Sequence, residues 1–360
     1  MSTQELTPES ARRLNDLGVA CHHSNYSEAQ EHYRRAISTF QKTLGPTHPY
    51  TATALNNLAA LLRRMKLFHE AEAEFQRALR IWKRPAPVLP GQQAPLEAEH
   101  YDGRGILTEF GAHVRELRAR VEASSMEARA ELEGMIQRMG PWYHNVSYAG
   151  VMTNPATPDY PASRWRLLDQ LIPQDLHGKK VLDIGCNSGS FAMEMKKRGA
   201  ERVVGIDVLP HVTAQARFTS HWFAVPFEVY ELSAYDVEWL DEIFDIVLFT
   251  GVLYHLKHPL YALEKISNIC RDTMYFQSVV RSSAVDFEPE SNYPGNEVAV
   301  FDRPDYPRLF FIEKSYNGDD TNWWFATRNC LKAMARVSGF KTVENTDDPE
   351  YLVCRKNPST

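Results

Sequence analysis

The hydrophobic positions of this chain follow a helical spacing in its first part and an alternation of strands and helices in its second. Up to about residue 139, apolar residues recur three and four positions apart, for example at Val114, Leu117 and Val121, which predicts amphipathic helices. From Lys180 onward, short apolar runs alternate with helical stretches, and this alternation favours a parallel sheet flanked by helices. We therefore expect an all-α region followed by a doubly wound α/β domain.

The first hundred residues contain an internal repeat with a period of 42 residues. Three positions recur at this interval: Ala29 with Ala71, Tyr33 with Phe75, and Ala36 with Ala78. A small residue where two helices approach, with an aromatic residue four positions later on the same face, predicts helical hairpins at 14–37 and 55–81. The pattern resembles a tetratricopeptide array of the kinesin-light-chain type. Two units are fewer than the roughly three that stabilise such an array, so we expect support from another subunit or from the second domain.

Three regions are expected along the chain. Residues 1–96 contain the repeats and a linker, Pro85–Pro95, whose dense prolines cannot continue a helix. Residues 97–140 form a helical connector. Residues 141–360 form the α/β domain, with an insertion at about 281–326.

Within the α/β domain the pattern predicts each element in turn. A helix is expected at 163–171, and the parallel strands are expected at 180–184, 202–207, 226–231, 244–250 and 272–280. A final antiparallel pair is expected at 340–344 and 351–355.

Composition and charge narrow the class of protein without giving a function. Hydrophobic residues make up 43% of the chain and charged residues 24%, and no apolar run approaches the roughly 18 residues of a membrane span. The first ten residues do not resemble a secretion signal, so we expect a cytoplasmic protein that does not bind membranes. A net charge of -6 gives no general attraction for nucleic acid, which weakens RNA as a partner without excluding it.

Cysteine and histidine patterns argue against a metal site. The five cysteines form no CxxC pair, which favours reduced thiols over a disulfide framework. The thirteen histidines form no HxxxH motif. We therefore predict that the protein binds no metal.

The stretch from Val181 to Pro210 contains the strongest chemical signal. Gly185 and Gly189 frame the loop after the first predicted strand, where a missing Cβ lets the backbone approach a ligand. Asp207 ends the second predicted strand, where a carboxylate can accept hydrogen bonds from both hydroxyls of a ribose. The third glycine of the dinucleotide motif is missing, which favours a mononucleoside with an amino-acid tail whose ammonium could face Asp183.

Together with Phe244-Asp245-Ile246-Val247, these motifs resemble the class I S-adenosylmethionine-dependent methyltransferases, whose domain is Rossmann-like; the resemblance covers Trp142 to Arg355. A narrower likeness is to the family of the tRNA wobble-uridine carboxymethyl transferase, through Gly140-Pro141-Trp142, Arg164-Trp165, Gly199-Ala200 and Gly251-Val252-Leu253-Tyr254-His255. The motifs and the resemblance together give the predicted cofactor contacts: Arg164, Asp183, Gly185, Asn187, Gly189, Asp207, Val208, Tyr235, Asp236, Thr250 and Tyr254.

One position departs from the narrower family and changes the expected cofactor. That family has a lysine just before its Gly-Pro, which meets the extra carboxylate of carboxy-S-adenosylmethionine, and this chain has Met139 there. A carboxylate without a cationic partner is costly in a partly buried site. The acidic segment 347–350 also replaces an arginine-bearing tail. We therefore expect plain S-adenosylmethionine as the cofactor.

The acceptor side is less well defined by the sequence. His255 and Tyr254 follow the fourth predicted strand, and we expect His255 to serve as a general base, with Tyr254 more on the cofactor side; alternatively, His255 only packs or bonds the backbone. Candidate acceptor contacts are the aromatic and amide residues of the loops: Trp142, Tyr143, Tyr293, Asn322, Trp323 and Trp324. The alternative for the insertion is an aromatic lid that does not touch the acceptor.

The leading hypothesis is methyl transfer to a small molecule in secondary or glycan metabolism, with oxygen or nitrogen favoured over carbon as the accepting atom. The helical repeats would then mediate dimerisation or bind a protein partner. Two alternatives stay open: a tRNA-modifying methyltransferase, and an inactive scaffold that still binds the cofactor.

Overall fold

The computed structural model describes most of the chain, in four stretches: residues 7–21, 25–82, 104–281 and 285–357. The chain divides into two compact units, Met1–Glu131 and Leu132–Thr360. The predicted linker, Pro85–Pro95, lies outside the described residues.

The described residues of the first unit form paired helices. Their bounds are α1 (Pro8–Cys21), α2 (Tyr26–Thr43), α3 (Pro49–Arg64), α4 (Phe68–Trp82) and α5 (Arg104–Glu122), and α6 (Met126–Arg138) contains the boundary between the units. Helix α1 packs against α2, and α3 packs against α4. The two predicted helical hairpins are therefore confirmed.

The repeated positions form the core of this unit. The side chains of the three equivalent pairs are at most 1% exposed: Ala29, Tyr33, Ala36, Ala71, Phe75 and Ala78. A Cβ at Gly18 of α1 would lie 2.6 Å from Cε1 of Tyr33, so glycine allows α1 to approach this ring. Equivalent residues also meet, because Asn57 Nδ2 donates a hydrogen bond of 3.1 Å to Asn15 Oδ1, one period away.

The second unit alternates strands and helices. In chain order they are β1 (Ser147–Tyr148), β2 (Val151–Met152), α7 (Ala162–Leu171), β3 (Lys180–Ile184), α8 (Ser190–Lys197), β4 (Arg202–Asp207), α9 (Pro210–Phe223), β5 (Glu228–Glu231), β6 (Phe244–Thr250), α10 (Pro259–Ile269), β7 (Cys270–Gln277), β8 (Leu309–Phe311), β9 (Trp324–Ala326), α11 (Arg328–Val337), β10 (Thr342–Asn345) and β11 (Tyr351–Arg355). Short 3₁₀-helical segments occupy Ala234–Leu240, Leu253–His255 and Val298–Asp302.

Seven of these strands form one sheet in the order β10-β11-β7-β6-β3-β4-β5. The strands from β7 to β5 are parallel, and β11 runs antiparallel to both of its neighbours. After β3 the chain adds β4 and β5 on one side, then returns to place β6 on the other side of β3. Such a reversal opens a crevice at the carboxyl ends of the strands. The predicted doubly wound α/β fold is confirmed.

Burial on both faces explains the apolar runs of the central strands. Val181, Leu182 and Ile184 of β3 are at most 1% exposed, and helices cover the sheet, so a continuous apolar run is required where an exposed sheet would alternate. Most predicted strands match the observed bounds within two residues. The fifth ends three residues earlier than predicted, because beyond Gln277 the chain leaves the sheet and Arg281 N donates to Ala326 O at 2.8 Å.

Within the described residues, no helix combines the length and apolar character needed to cross a membrane.

Candidate cofactor and acceptor site

The loop after β3 leaves no room for side chains at two of its positions. Gly185 has a φ of +71° and Gly189 a φ of +78°, a backbone conformation that side chains disfavour. A Cβ at Gly185 would lie 2.4 Å from Cγ2 of Val252, and a Cβ at Gly189 would lie 2.5 Å from Cζ of Phe227. Both glycines are therefore required by the packing of the loop as well as by any ligand that lies over it.

Asp207 joins the ends of β3 and β4. Its Oδ2 accepts a hydrogen bond of 3.3 Å from Asn187 N, and its Oδ1 accepts one of 3.2 Å from Leu209 N. Burial raises the pKa of Asp207, while these backbone hydrogen bonds lower it. A carboxylate oxygen has more than one lone-pair direction, so Asp207 can accept further hydrogen bonds from vicinal hydroxyls. The neighbouring Val208 is 46% exposed and can pack against the face of a base.

Asp183 has a structural contact that the sequence did not predict. Its side chain is buried at the end of β3, where Oδ2 accepts a hydrogen bond of 3.1 Å from Ala192 N in the first turn of α8. Burial raises the pKa of Asp183 to about 7, and the negative charge of Asp207 adds to this rise. Asp183 therefore fastens α8 to the sheet and titrates near neutral pH, which allows it to respond to a cationic ligand.

His144 also contacts the glycine loop, and sequence reasoning missed it. Its Nδ1 lies 2.9 Å from Ser188 Oγ, which lies 3.3 Å from Ser190 Oγ. Burial lowers the pKa of His144 to about 3, so the ring is neutral at ordinary pH. The sequence signal that could have indicated this role is the position of His144 two residues after the Gly140-Pro141-Trp142 motif.

The ends of β5 and β6 carry the other predicted cofactor contacts. After β5, Tyr235 N donates to Ser233 Oγ at 3.2 Å, and Tyr235 Oη accepts from His258 N at 3.0 Å. Asp236 follows at a kink within the segment Ala234–Leu240. Thr250 is the last residue of β6 and pairs with Gln277 of β7. These residues thus share the carboxyl edge of the sheet with Gly185 and Asp207.

Arg164 is paired within the protein. Its Nη1 donates a hydrogen bond of 3.0 Å to Glu350 Oε2, and Gln277 Nε2 donates to the same oxygen at 2.9 Å. The guanidinium carbon also lies 6.0 Å from the centre of the Tyr351 ring. The acidic segment noted in the sequence therefore neutralises a residue that was predicted to contact the cofactor.

Three tyrosines lie near one another close to the end of β6. The rings of Tyr143 and Tyr160 meet edge to face with centres 5.0 Å apart. Burial raises the pKa of Tyr160 and of Tyr254, and each is also affected by Tyr143. The phenols of Tyr160 and Tyr254 are therefore neutral at ordinary pH, and the group can present hydroxyl groups and aromatic faces to an acceptor.

His255 is held by the insertion. Its Nδ1 lies 2.9 Å from Thr321 Oγ1 and 3.3 Å from Thr321 O, and Thr321 Oγ1 donates to Asp319 Oδ1 at 2.6 Å. Trp323 N donates to Tyr254 O at 2.8 Å. Burial lowers the pKa of His255, although hydrogen bonding to Thr321 and the charge of Asp319 oppose this. The structure thus brings the predicted base and part of the insertion together.

The other acceptor residues predicted in the insertion do not all lie together. Asn322 is buried, with Nδ2 at 3.5 Å from Asp319 O, and Lys257 Nζ lies 4.2 Å from the centre of the Trp323 ring. Tyr293 lies in another aromatic group, with its ring 5.8 Å from Phe301.

Two predicted acceptor residues have mainly structural contacts. Trp324 belongs to β9 and packs against Phe311 at 5.0 Å between ring centres. Trp142 is buried, donates its Nε1 hydrogen to Ile136 O at 2.9 Å, and packs edge to face against Tyr148. These contacts hold the segment before the sheet, and the contact of Trp142 with the acceptor stays a prediction.

One group of metal-ligating side chains converges in the helical unit. Ligand atoms of Cys21, Glu28 and His32 all lie within 4.8 Å of one another. A search for HxxxH motifs and cysteine pairs misses such a group, because it combines a helix end with an i, i+4 pair on the next helix. Glu28 is exposed, and exposed groups of this kind are common without an ion. The absence of a metal stays a prediction.

Two families match parts of the chain. A family described as "Methyltransferase domain" matches residues 159–345, which is just over half of the 360 residues. A second family, described as "Tetratricopeptide repeat", matches residues 8–84.

Curated relatives match a little under half of the chain. A tRNA U34 carboxymethyltransferase of Sulfurovum sp. is 37% identical over 174 residues, covering 47% of this chain and 50% of the relative. Another, of Aeromonas hydrophila subsp. hydrophila, is 32% identical over 167 residues, covering 44% and 50%. The chain thus spans about half the length of these relatives.

Solved structures are more distant. The N-terminal domain of EvdMO1 with SAH bound has a TM-score of 0.46 and 15% identity, over 63% of this chain and 94% of that one. A putative S-adenosylmethionine-dependent methyltransferase from Listeria monocytogenes has a TM-score of 0.39 and 16% identity, over 54% and 97%. Likenesses of this size say nothing about the acceptor of this chain.

Proposed function

Because this chain belongs to the methyltransferase-domain family and its cofactor is therefore S-adenosylmethionine, we propose that it transfers the methyl group to a small-molecule acceptor. The acceptor site lies at the carboxyl ends of β6 and β7, next to the loop after β3. An oxygen or nitrogen of the acceptor receives the methyl group.

The residues of the sheet edge fit the cofactor. A cradle without Cβ atoms at Gly185 and Gly189 suits the amino-acid part, and Asp207 suits the ribose hydroxyls. Asp183, which titrates near neutral pH, suits an ammonium group. When bound, S-adenosylmethionine supplies a methyl group on a sulfonium, so the protein has to orient the acceptor, exclude water and, for a hydroxyl or an ammonium, remove a proton.

The observation that carries the small-molecule proposal is the contact between the insertion and the turn after β6. Trp323 N donates to Tyr254 O, and Thr321 Oγ1 lies 2.9 Å from His255 Nδ1. The insertion is thereby hydrogen-bonded to the histidine that was predicted as a base. Neutral phenols and the neutralised Arg164 favour an uncharged, hydroxylated acceptor over a polyanion.

Transfer from S-adenosylmethionine with a labelled methyl group tests this proposal. The protein is added to a cell extract, which is then separated into small molecules, RNA and protein. Label in the small-molecule fraction supports the proposal, and mass spectrometry of the labelled compound identifies the acceptor. Label confined to RNA, or no label although calorimetry detects cofactor binding, contradicts it.

A second candidate is tRNA modification, which the printed names of the curated relatives favour. The pairing of Arg164 with Glu350 and the net charge of -6 argue against it. Binding of total tRNA at 50 and 200 mM salt separates the candidates. A complex that neutralises 6 to 10 phosphates weakens by roughly 10³ to 10⁵ over this range. No measurable binding at 50 mM salt rejects tRNA as the substrate.

The helical repeats have a separate role in this proposal. Residues 1–96 would mediate dimerisation or bind a protein partner, 97–140 would connect, and 141–360 would carry the methyltransferase domain. Cytoplasmic location and a place in secondary metabolism also stay predictions. Light scattering of the whole chain tests dimerisation directly, because a dimer doubles the measured mass.

A further inference from the structure

We propose that Thr321 and Asp319 position His255 as the base for a hydroxyl acceptor, by holding its proton on Nδ1 and leaving Nε2 free to take a proton. The inference rests on the proposed function, because it assigns a role to residues of the same site.

The hydrogen bonds around His255 determine which of its nitrogens carries the proton. A carbonyl oxygen can only accept, so the contact of 3.3 Å between Nδ1 and Thr321 O requires a hydrogen on Nδ1. The hydroxyl of Thr321 has one hydrogen, and it is directed to Asp319 Oδ1 at 2.6 Å. Thr321 Oγ1 must therefore accept at its contact of 2.9 Å with Nδ1. Two independent contacts thus give the same tautomer.

Asp319 is itself held in place to accept from the threonine. Its Oδ1 also accepts from Thr321 N at 2.8 Å. Its backbone exchanges two hydrogen bonds of 3.0 Å with Tyr316. Asp319 is thus a fixed negative charge that is linked to the imidazole through two hydrogen bonds, by way of Thr321 Oγ1. This charge stabilises the imidazolium that forms when His255 takes a proton.

The arrangement leaves Nε2 with a lone pair, and Nε2 makes no hydrogen bond to the residues that the structure describes. In the reaction, His255 Nε2 takes the hydroxyl proton as the acceptor oxygen bonds to the methyl carbon. The electron pair of the broken carbon–sulfur bond returns to sulfur, so a methyl ether and S-adenosylhomocysteine leave the site. The positive charge lost by the sulfonium remains on the imidazolium as a proton.

Nitrogen NMR of the whole protein labelled with ¹⁵N-histidine tests the tautomer without an identified acceptor. At pH 8 a histidine of ordinary pKa is neutral, and long-range proton–nitrogen correlations distinguish protonated from unprotonated ring nitrogens. The His255 signals are those missing from His255→Gln. We expect a protonated Nδ1 and an unprotonated Nε2. A protonated Nε2 in the wild type would overturn the proposal.

Two threonine variants separate positioning from packing. Thr321→Ser keeps the hydroxyl and should keep the tautomer, whereas Thr321→Val removes it and should shift the population towards protonated Nε2. The same tautomer in Thr321→Val as in wild type contradicts the proposal. If the valine variant does not fold, the wild-type and serine spectra still decide.

Transfer and binding measurements distinguish this inference from the proposed function. Thr321→Val should bind S-adenosylmethionine within about twofold of wild type, while methyl transfer in extract falls roughly 10-fold or more. Unchanged methyl transfer by Thr321→Val contradicts the positioning role of Thr321 but not the proposed function. Absence of cofactor binding by the wild type instead contradicts the proposed function, whatever the tautomer.

Discussion

The two halves of the sheet's carboxyl edge are built in different ways. In the half that we propose for the cofactor, called the cofactor half, at the ends of β3, β4 and β5, the hydrogen bond from Asn187 to Asp207 joins residues 20 positions apart. In the half that we propose for the acceptor, called the acceptor half, at the ends of β6 and β7, Thr321 contacts His255 across 66 positions and Arg164 contacts Glu350 across 186. The spacing of residues along the sequence reveals a half whose elements follow one another closely in the chain. It does not reveal a half whose segments are far apart in the chain.

The difference also concerns charge. In the cofactor half, burial is the main cause that raises the pKa of two carboxylates, Asp183 and Asp207. In the acceptor half, Arg164 is bound by Glu350 and Asp319 is hydrogen-bonded to Thr321, and phenols and His255 are also present. The first half thus suits a cationic amino-acid tail and a ribose, and the second suits an uncharged acceptor.

The largest expected effect is on the glycine loop of the cofactor half. Gly185→Ala should destabilise the protein by about 2–5 kcal/mol, because a side chain in the left-handed region costs about 1–2 kcal/mol and overpacking against Val252 adds about 1–3. Binding of S-adenosylmethionine should be lost. Urea unfolding and calorimetry measure the two effects.

Gly178→Ala is the matched control for the clash. Gly178 has the same φ of +71°, but no heavy atom lies within 4 Å of a Cβ there. The free energy of unfolding of Gly178→Ala should fall by only about 1–2 kcal/mol, and the variant should bind the cofactor normally. Equal losses in the two variants would show that packing against Val252 does not matter.

The second effect is on Asp207. Removing a carboxylate that accepts hydrogen bonds from a ligand costs about 2–3 kcal/mol, so Asp207→Ala should bind S-adenosylmethionine roughly 30- to 150-fold more weakly. Calorimetric titration measures this. Glu201→Ala is the control, because Glu201 is an exposed acid at the opposite end of β4 and its loss should leave the affinity unchanged. Equal affinities of Asp207→Ala and wild type would remove Asp207 from the cofactor site.

The third effect is a pH dependence of stability that comes from His144. Its folded pKa of about 3 lies below the ordinary value of 6.5, so below pH 6.5 the unfolded chain takes up a proton that the folded chain does not. The contribution of His144 to the free energy of unfolding is therefore almost fully present at pH 7, and it falls by about 2 kcal/mol at pH 5. Urea unfolding of wild type and His144→Gln at both pH values measures it, since the other histidines cancel. Parallel losses in the two proteins would contradict the burial of a neutral His144.

The smallest effect is a proton released on cofactor binding. At pH 7 an Asp183 with a pKa of about 7 is about half protonated, and an ammonium beside it lowers that pKa. Binding should therefore release about half a proton, which calorimetry in two buffers of different ionisation enthalpy measures. Asp183→Asn should release none. A release that persists in this variant would assign the proton to another group.

Sequence reasoning was most reliable where local spacing determines structure. The strands at Lys180–Ile184, Arg202–Asp207 and Phe244–Thr250 were predicted with the observed bounds, because strands buried on both faces have continuous apolar runs. The repeat in the helical unit could also be predicted from spacing, because its buried positions recur at a fixed interval along the sequence.

The sequence did not predict contacts between a side chain and a distant element. The indole hydrogen of Trp142 is donated to Ile136 O, and Arg164 pairs with Glu350. Their contacts with the acceptor and the cofactor stay predictions. The roles of His144 and Thr321 were missed, because both depend on tertiary contacts.

The most direct test of the central claim compares cofactor binding with methyl transfer in His255→Gln. This variant should bind S-adenosylmethionine within about twofold of wild type, because His255 belongs to the acceptor half. Transfer of labelled methyl to the small-molecule fraction of an extract should fall roughly 100-fold or more, the size expected for loss of a general base. Transfer equal to wild type, or loss of binding together with transfer, would contradict the division of the site into a cofactor half and an acceptor half.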